Sequence, residues 1–229
     1  MSATSEPVSR RDRPAKAPLS RQSILAAAKE LIRARGVDGV SLRQVADAVQ
    51  TGPASLYAYF ANRDVLLEHV LDDAYAEVVL VDPSEGGWQR ALTDTVVNTI
   101  ETLQSYPGLG AVALVTIPTR PGALRLAEHE LTLLHLGGIE ERTAALGIDL
   151  LAQFAAATAI ERTAADHGTA ERERARTIYG SADAATYPRV AGLAAALTGP
   201  DEHARRDFGI RVILDGLARA TTASASGGL

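Results

Sequence analysis

Between Ser41 and Arg63 the chain reads SLRQVADAVQTGPASLYAYFANR, and here its most useful polar side chains are gathered. The guanidinium groups of Arg43 and Arg63 and the hydroxyls of Thr51, Ser55, Tyr57 and Tyr59 can make hydrogen bonds. Bond-breaking chemistry has no comparable set: the 229 residues hold no cysteine, Gly-rich phosphate loop, HExxH or G-x-S-x-G, and Glu171 and Glu173 fall in a solvated charged run. No catalytic residue and no cofactor is expected. The chemistry that remains is recognition by hydrogen bonds and charge.

Two short helices and a turn must hold these groups. Ser41 can cap a helix while Gln44, three residues on, reaches back to it. Leu42, Val45, Ala46 and Val49 then form one apolar stripe, leaving Arg43, Asp47 and Gln50 outside it. Thr51 and Gly52 interrupt the pattern, and Pro53 suits the first turn of a second helix, where its missing N–H costs nothing. Leu56 and Phe60 anchor that helix inward, which turns Ser55, Tyr57, Ala58 and Tyr59 outward or sideways. A scaffold helix from a Ser20 cap through Arg35 to a stop at Gly36, and a fourth helix from an Asn62 cap to about Val81, complete the setting. This is the pattern of a helix-turn-helix DNA reader.

The stretch resembles the DNA-binding motif of the TetR family of bacterial transcriptional regulators. By that resemblance Ser55-Leu56-Tyr57 forms the recognition helix, the Tyr59-Phe60 pair follows, and Arg63 opens the next helix. Tyr57 and Arg63 are then expected to contact phosphates. Pro53, Ala54, Ser55 and Tyr59 are expected to face the major groove, with Thr51 beside them and Arg43 near the backbone. Three positions depart from the family pattern: Gln50 stands where the turn glycine is usual, Tyr59 replaces a frequent histidine, and Arg63 a frequent lysine. The segment Phe208 to Leu217, FGIRVILDGL, resembles the last helix of the family's tetracycline-regulator branch. Function by resemblance is a repressor of a palindromic operator, released by a small hydrophobic or amphipathic effector. The other readings are an activator or protein-triggered regulator of the same fold and, more remotely, a helical carrier or enzyme.

Composition agrees with an all-α fold, a three-helix helix-turn-helix head on a helical ligand-binding and dimerisation body. Hydrophobic residues make up 46% but aromatics only 4%, so small side chains let helices approach closely. The net charge of −5 hides an asymmetry: residues 1–70 carry ten basic against seven acidic groups, net +3, and the remainder is net −8. A basic head on an acidic body turns toward the phosphate lattice of double-stranded DNA. Absence of cysteine fits a reducing cytoplasm, Asp12 interrupts the arginines that hint at an export signal, and no apolar run is expected to reach membrane-spanning length. No membrane association is expected. The domains expected are a disordered basic tail at 1–19 with Arg10, Arg11, Arg13 and Lys16, the head at 20–66, the body at 67–220, and a disordered tail at 221–229.

Beyond Pro83, body helices are predicted over 87–105, 109–117, 122–146, 148–167, 188–197 and 201–220, with prolines and glycines, Gly147 and Gly168 among them, at the junctions. A mobile connection with a short helix is predicted between His167 and Tyr187. Leu151 and Ala155 on one helix, with Phe208, Ile213, Leu214 and Leu217 on the last, spread apolar surface over several faces, which suits a four-helix homodimer interface. The same residues also suit a monomer core. Trp88, Thr99, Leu103, His129, His135 and Phe154 are candidates to line an effector cavity. His129 and His135, six apart, do not share a helix face as neighbours, so no metal site is expected.

Overall fold

The computed structural model of the chain describes residues 19–84, 86–163, 165–199 and 201–226. The expected N-terminal tail lies outside them apart from Leu19. Every regular element among the described residues is helical: α1 Arg21–Arg35, α2 Leu42–Ala48, α3 Pro53–Tyr57, α4 Arg63–Glu77, α5 Gly87–Gln104, α6 Leu109–Val115, α7 Pro121–Leu136, α8 Glu141–Thr163, α9 Ala165–Gly180, α10 Pro188–Thr198 and α11 Glu202–Ser226.

The head follows its local signals closely. Ser20 and Ser23 form a capping box at the start of α1, and Ser41 with Gln44 forms another at the start of α2. Asn62 caps α4 by accepting the Val65 N–H at 2.9 Å. Between α1 and α2, Val37–Gly39 makes a single 3₁₀ turn. Beyond α2, the Thr51 N–H reaches the Ala46 carbonyl and the Gln50 N–H the Asp47 carbonyl, at 2.9 and 3.0 Å. That pair of bonds closes a Schellman turn with Gln50 in the left-handed position at φ 55°. The turn keeps its usual geometry with glutamine in glycine's place.

The body departs from the predicted boundaries where glycine was read as a helix breaker. The break falls at Gly137–Gly138, with Gly138 at φ 71°, whereas Gly147 lies inside α8. There it admits a neighbour: a β-carbon at Gly147 would sit 2.7 Å from the Leu217 side chain of α11. Gly209 of α11 gives the same room to the Phe154 ring of α8. These two contacts run in opposite directions along the chain, so α8 and α11 pack antiparallel at close range. The predicted connection at 167–187 is mostly the 16-residue helix α9, and α11 continues past Ala220 through Ser226. Helix α4 ends at Glu77, short of Val81.

Two apolar cores result among the described residues. The first runs without interruption from Ile24, Leu56 and Phe60 in the head, along Leu66, Val70 and Ala74 of α4, to Leu103, Tyr106 and Leu126 in the body. The second, with Leu92, Val96, Leu133, Leu151, Ile210 and Leu214, belongs to the body alone. Residue 66 is therefore not a packing boundary. One expectation about apolar length is also corrected: Glu141–Ile160 of α8 is 20 residues long with a mean hydropathy of 1.5. It packs against α5, α6, α7 and α11, yet only 33% of it is buried within the chain.

Candidate nucleic-acid interface and body cavity

Leu56 and Phe60, both essentially inaccessible, pin α3 to the head. Their burial leaves Pro53, Ala54, Ser55 and Tyr57 exposed on one short helix, with Arg43 exposed on α2 beside it and Thr51 half-buried in the turn. Tyr57 is 58% exposed, high for an aromatic side chain. Six of the eight residues expected at a DNA surface thus lie together and accessible or partly so.

The remaining two are committed inside the head. Tyr59 is half-buried, and its hydroxyl donates to the Leu19 carbonyl at 2.9 Å, fastening the entry to α1. Arg63 donates from Nε to the Val40 carbonyl at 2.8 Å and from Nη2 to the Val37 carbonyl at 2.7 Å. Those carbonyls flank the turn into α2, so the guanidinium clamps the turn that aims the helix pair. Both residues are expected at base edges and phosphates; in this structure the Tyr59 hydroxyl and the Arg63 Nε and Nη2 serve internal carbonyls. Their spacing in sequence, 40 and 23–26 residues from these partners, carried no sign of it.

Around this frame, Arg21 of α1 meets His69 of α4 at 2.9 Å through Nε2. Arginine can only donate, so the imidazole accepts and is neutral. Burial, with Arg120 and Arg21 nearby, lowers the His69 pKa accordingly. Lower down, Tyr106 stacks under the Arg33 guanidinium at 4.5 Å and donates to Glu77 at 2.7 Å, while Lys29 also bonds Glu77. Burial opposes the Glu77 charge, but these donors outweigh it and hold its pKa low. The Val37 N–H donates to the Pro107 carbonyl at 2.8 Å, so head and body meet through both side chains and backbone.

Behind α4 the body holds a largely apolar cavity of about 260 Å³ that is open to solvent on one side. Tyr75 of α4, Val96, Thr99 and Leu103 of α5, Ala123, Leu126, Ala127 and Glu130 of α7, and Ile148, Leu151, Ala152 and Ala155 of α8 form its walls, with Pro118, Leu124 and Asp149 toward solvent. Of the six sequence candidates only Thr99 and Leu103 line it. Trp88 packs instead against Gly137 at the far end of the second core. His129 faces the Thr95 hydroxyl at 3.3 Å, outside the wall, and His135 is exposed. Phe154 fills the space above Gly209 of α11. Sequence reading missed Tyr75 and Glu130, because each sits on an apolar helix face where the pattern alone cannot separate a wall from a core.

Helix α7 grips α4 beside this cavity. Asp72 accepts the Ala123 N–H at 3.0 Å, and Arg125 donates to the carbonyls of Tyr75, Ala76 and Val78 at 3.3, 3.0 and 2.7 Å. Each helix end is thereby satisfied by a side chain of the other helix. A β-carbon at Gly122 would strike the Asp72 carbonyl, so this close contact depends on glycine.

A helix-turn-helix head joined through one shared helix to a body with a cavity defines a DNA-binding regulator of the ligand-responsive kind. The comparisons agree in both parts. Residues 24–70 match the description "Bacterial regulatory proteins, tetR family", and residues 81–221 match "Tetracyclin repressor-like, C-terminal domain". The chain belongs to the tetR family and is a ligand-responsive DNA-binding transcriptional repressor. It is 30% identical over 219 residues to the HTH-type transcriptional repressor DrrR1 of Streptomyces coeruleorubidus, covering 90% of this chain and 80% of that protein. It is 28% identical over 210 residues to the class A tetracycline repressor protein of Escherichia coli, covering 88% and 91%. Apo ActR from Streptomyces coelicolor superposes with a TM-score of 0.84 at 29% identity, covering 91% of this chain and 99% of that one. ActR in complex with actinorhodin gives a TM-score of 0.83 at 30% identity, covering 90% and 99%.

Proposed function

We propose that the chain acts in the cytoplasm as a homodimer whose two heads bind a palindromic operator and let go when a small, largely apolar effector fills the body cavity. The observation that carries this reading is the sharing of α4. Arg63 at its first residue clamps the turn that aims α2 and α3, and Tyr75, twelve residues on, forms part of the cavity wall. At about 1.5 Å per residue the two sites lie roughly 18 Å apart on one rigid rod. Displacement of α7 by a ligand pulls on α4 through Asp72 and Arg125 and is felt at Arg63. An effector releases DNA only by preferring the α4 position that DNA disfavours.

Arg43, Pro53, Ala54, Ser55 and Tyr57 face DNA in this reading, with Thr51 at the edge, while Tyr59 and Arg63 hold the reading surface in place. Pairing of heads requires a dimer. Leu151, Ala155, Leu214 and Leu217, expected at the interface, are buried in the second core of the single chain, and Ile213 is half-buried. Phe208, 59% exposed, keeps that role, joined by Val212 one turn on and by Leu146 and Leu150 of α8, all exposed. This stripe accounts for an α8 so apolar yet so little covered. A twofold contact there would bury it.

Selection of bound duplexes from a random library tests the operator. Enrichment of a palindrome with half-sites about one helical turn apart, or slightly more, is expected. Enrichment of a single asymmetric site, or of none, would overturn the reading. Sedimentation at micromolar concentration is expected to give a dimer for the wild type and a monomer for Phe208→Glu combined with Val212→Glu; a wild-type monomer would remove the dimer.

A further inference from the structure

The cavity is apolar and it is acidic. Glu130 is 7% exposed, lines the cavity from α7, and makes no hydrogen bond among the described residues. Tyr75 faces it from α4, and Asp149 stands at the mouth on α8, where Gln153 donates to it at 2.7 Å. Among the described residues, no lysine, arginine or histidine is part of the lining. The basic residues of α7 nearest to Glu130 are engaged elsewhere, Arg125 on the α4 carbonyls and His129 beside Thr95.

We propose that the effector is an apolar monocation, an amine on a ring system of about two fused rings, whose ammonium group pairs with Glu130 inside the cavity. The proposal rests on the reading of this cavity as the effector site. A buried carboxyl without a partner is unfavourable as an anion, and burial pushes the Glu130 pKa up to about 8. A cation entering beside it restores the charged form and gives its oxygens donors they lack, and such charge-assisted bonds are the strong ones. An anionic ligand would meet two carboxyls and no basic group among the described lining residues, so the same wall that accepts an amine disfavours a carboxylate. Size agrees. A cavity of about 150 Å³ holds one benzene ring, and this one is larger by a second ring.

Three matched probes test the proposal on the full chain by calorimetry at pH 7: 1-naphthylmethylamine, 1-naphthalenemethanol and 1-naphthoate. The amine is expected to bind about tenfold or more tightly than the alcohol, and the carboxylate most weakly. Glu130→Gln is expected to lower amine affinity by about tenfold while changing the alcohol less than about twofold. Ala127→Trp, which fills the cavity, is expected to abolish binding of all three. If the alcohol binds as tightly as the amine, or Glu130→Gln leaves amine affinity unchanged, the cation proposal fails while the cavity reading stands. If no probe binds, or binding survives Ala127→Trp, the cavity reading itself fails. Should Glu130→Gln not fold, the wild-type ranking of the three probes decides alone.

Discussion

Head and body use the same helices differently: the head spends nearly every group on its own geometry, whereas the body keeps room and an unpaired acid in reserve. In the head, Phe60 is buried against His69 at 5.3 Å and beneath Arg21 at 4.9 Å, Tyr59 is tied to Leu19, and Arg63 to Val37 and Val40. In the body, a cavity separates α4, α5, α7 and α8, and Glu130 sits in its wall. A DNA reader must present fixed side chains at fixed spacing, so slack there costs affinity. A sensor must yield to its ligand, so slack there suits the function proposed for the body.

Truncation and filling expose this contrast most strongly. Phe60→Ala is expected to cost about 3–5 kcal/mol in chemical denaturation, since no neighbour can close the gap. Ala127→Leu, which adds methyl groups into existing space, is expected to raise stability by about 0.5–2 kcal/mol. Equal destabilisation by both changes would mean that the body is as tightly packed as the head.

Titration separates the regions next. The Glu130 carboxyl titrates at about 8 in the folded chain against an ordinary 4.5, so between these values the folded state holds a proton that the unfolded state has released. Stability from this group is therefore greatest in acid and falls as pH rises toward 8. At no more than about 1.4 kcal/mol per unit, less near either end of this range, the loss from pH 5 to pH 8 is on the order of 3–4 kcal/mol. Glu130→Gln should remove that slope and gain on the wild type as pH rises; parallel stability curves for the two would refute the buried neutral acid. The head responds with the opposite sign. His69 has a lowered pKa, so its contribution is present above the ordinary histidine range and is lost as pH falls below it.

Substitution at Arg63 distinguishes aiming from contact. Arg63→Ala is expected to cost about 2–3 kcal/mol in stability, from two charged hydrogen bonds, and to weaken operator binding without changing its salt dependence. Arg63→Lys should not rescue it, because a point charge cannot reach both carbonyls as the guanidinium fork does. Arg43→Ala, at an exposed position, should leave stability unchanged and reduce the salt slope by about one. A reduced slope in Arg63→Ala would restore that residue to phosphate contact.

The same contrast explains what could be read from the sequence. Head elements announce themselves locally, through Ser20, Ser41 and Asn62 as caps and Leu56 with Phe60 as anchors, all acting within a few residues. Arg63 and Tyr59 escaped because their partners lie far away in the chain. In the body, glycine signals both helix ends and close helix contacts: Gly138 ends α7, while Gly147 and Gly209 let α8 and α11 touch. Alanine and leucine patterns place a face inside without saying whether it meets another side chain or a cavity, which is why Leu103 was legible there and Trp88 and Phe154 were not.

The smallest expected effect lies at Gln50, the point where the head itself stores strain. A left-handed conformation brings a β-carbon close to the following carbonyl and costs a non-glycine residue about 1 kcal/mol, a cost glycine avoids. Against this, glycine loses more backbone freedom on folding. Because the Schellman bonds of Gln50 and Thr51 come from the backbone, they survive the change. Gln50→Gly is therefore expected to raise stability by roughly 0.5–1 kcal/mol and to leave operator affinity within about twofold. A gain in stability with a loss of affinity would make the Gln50 side chain, exposed at the end of α2, part of the DNA surface. A loss of stability would mean that its side-chain interactions outweigh the strain, and the head would then be closed at this turn as fully as it is at Tyr59 and Arg63.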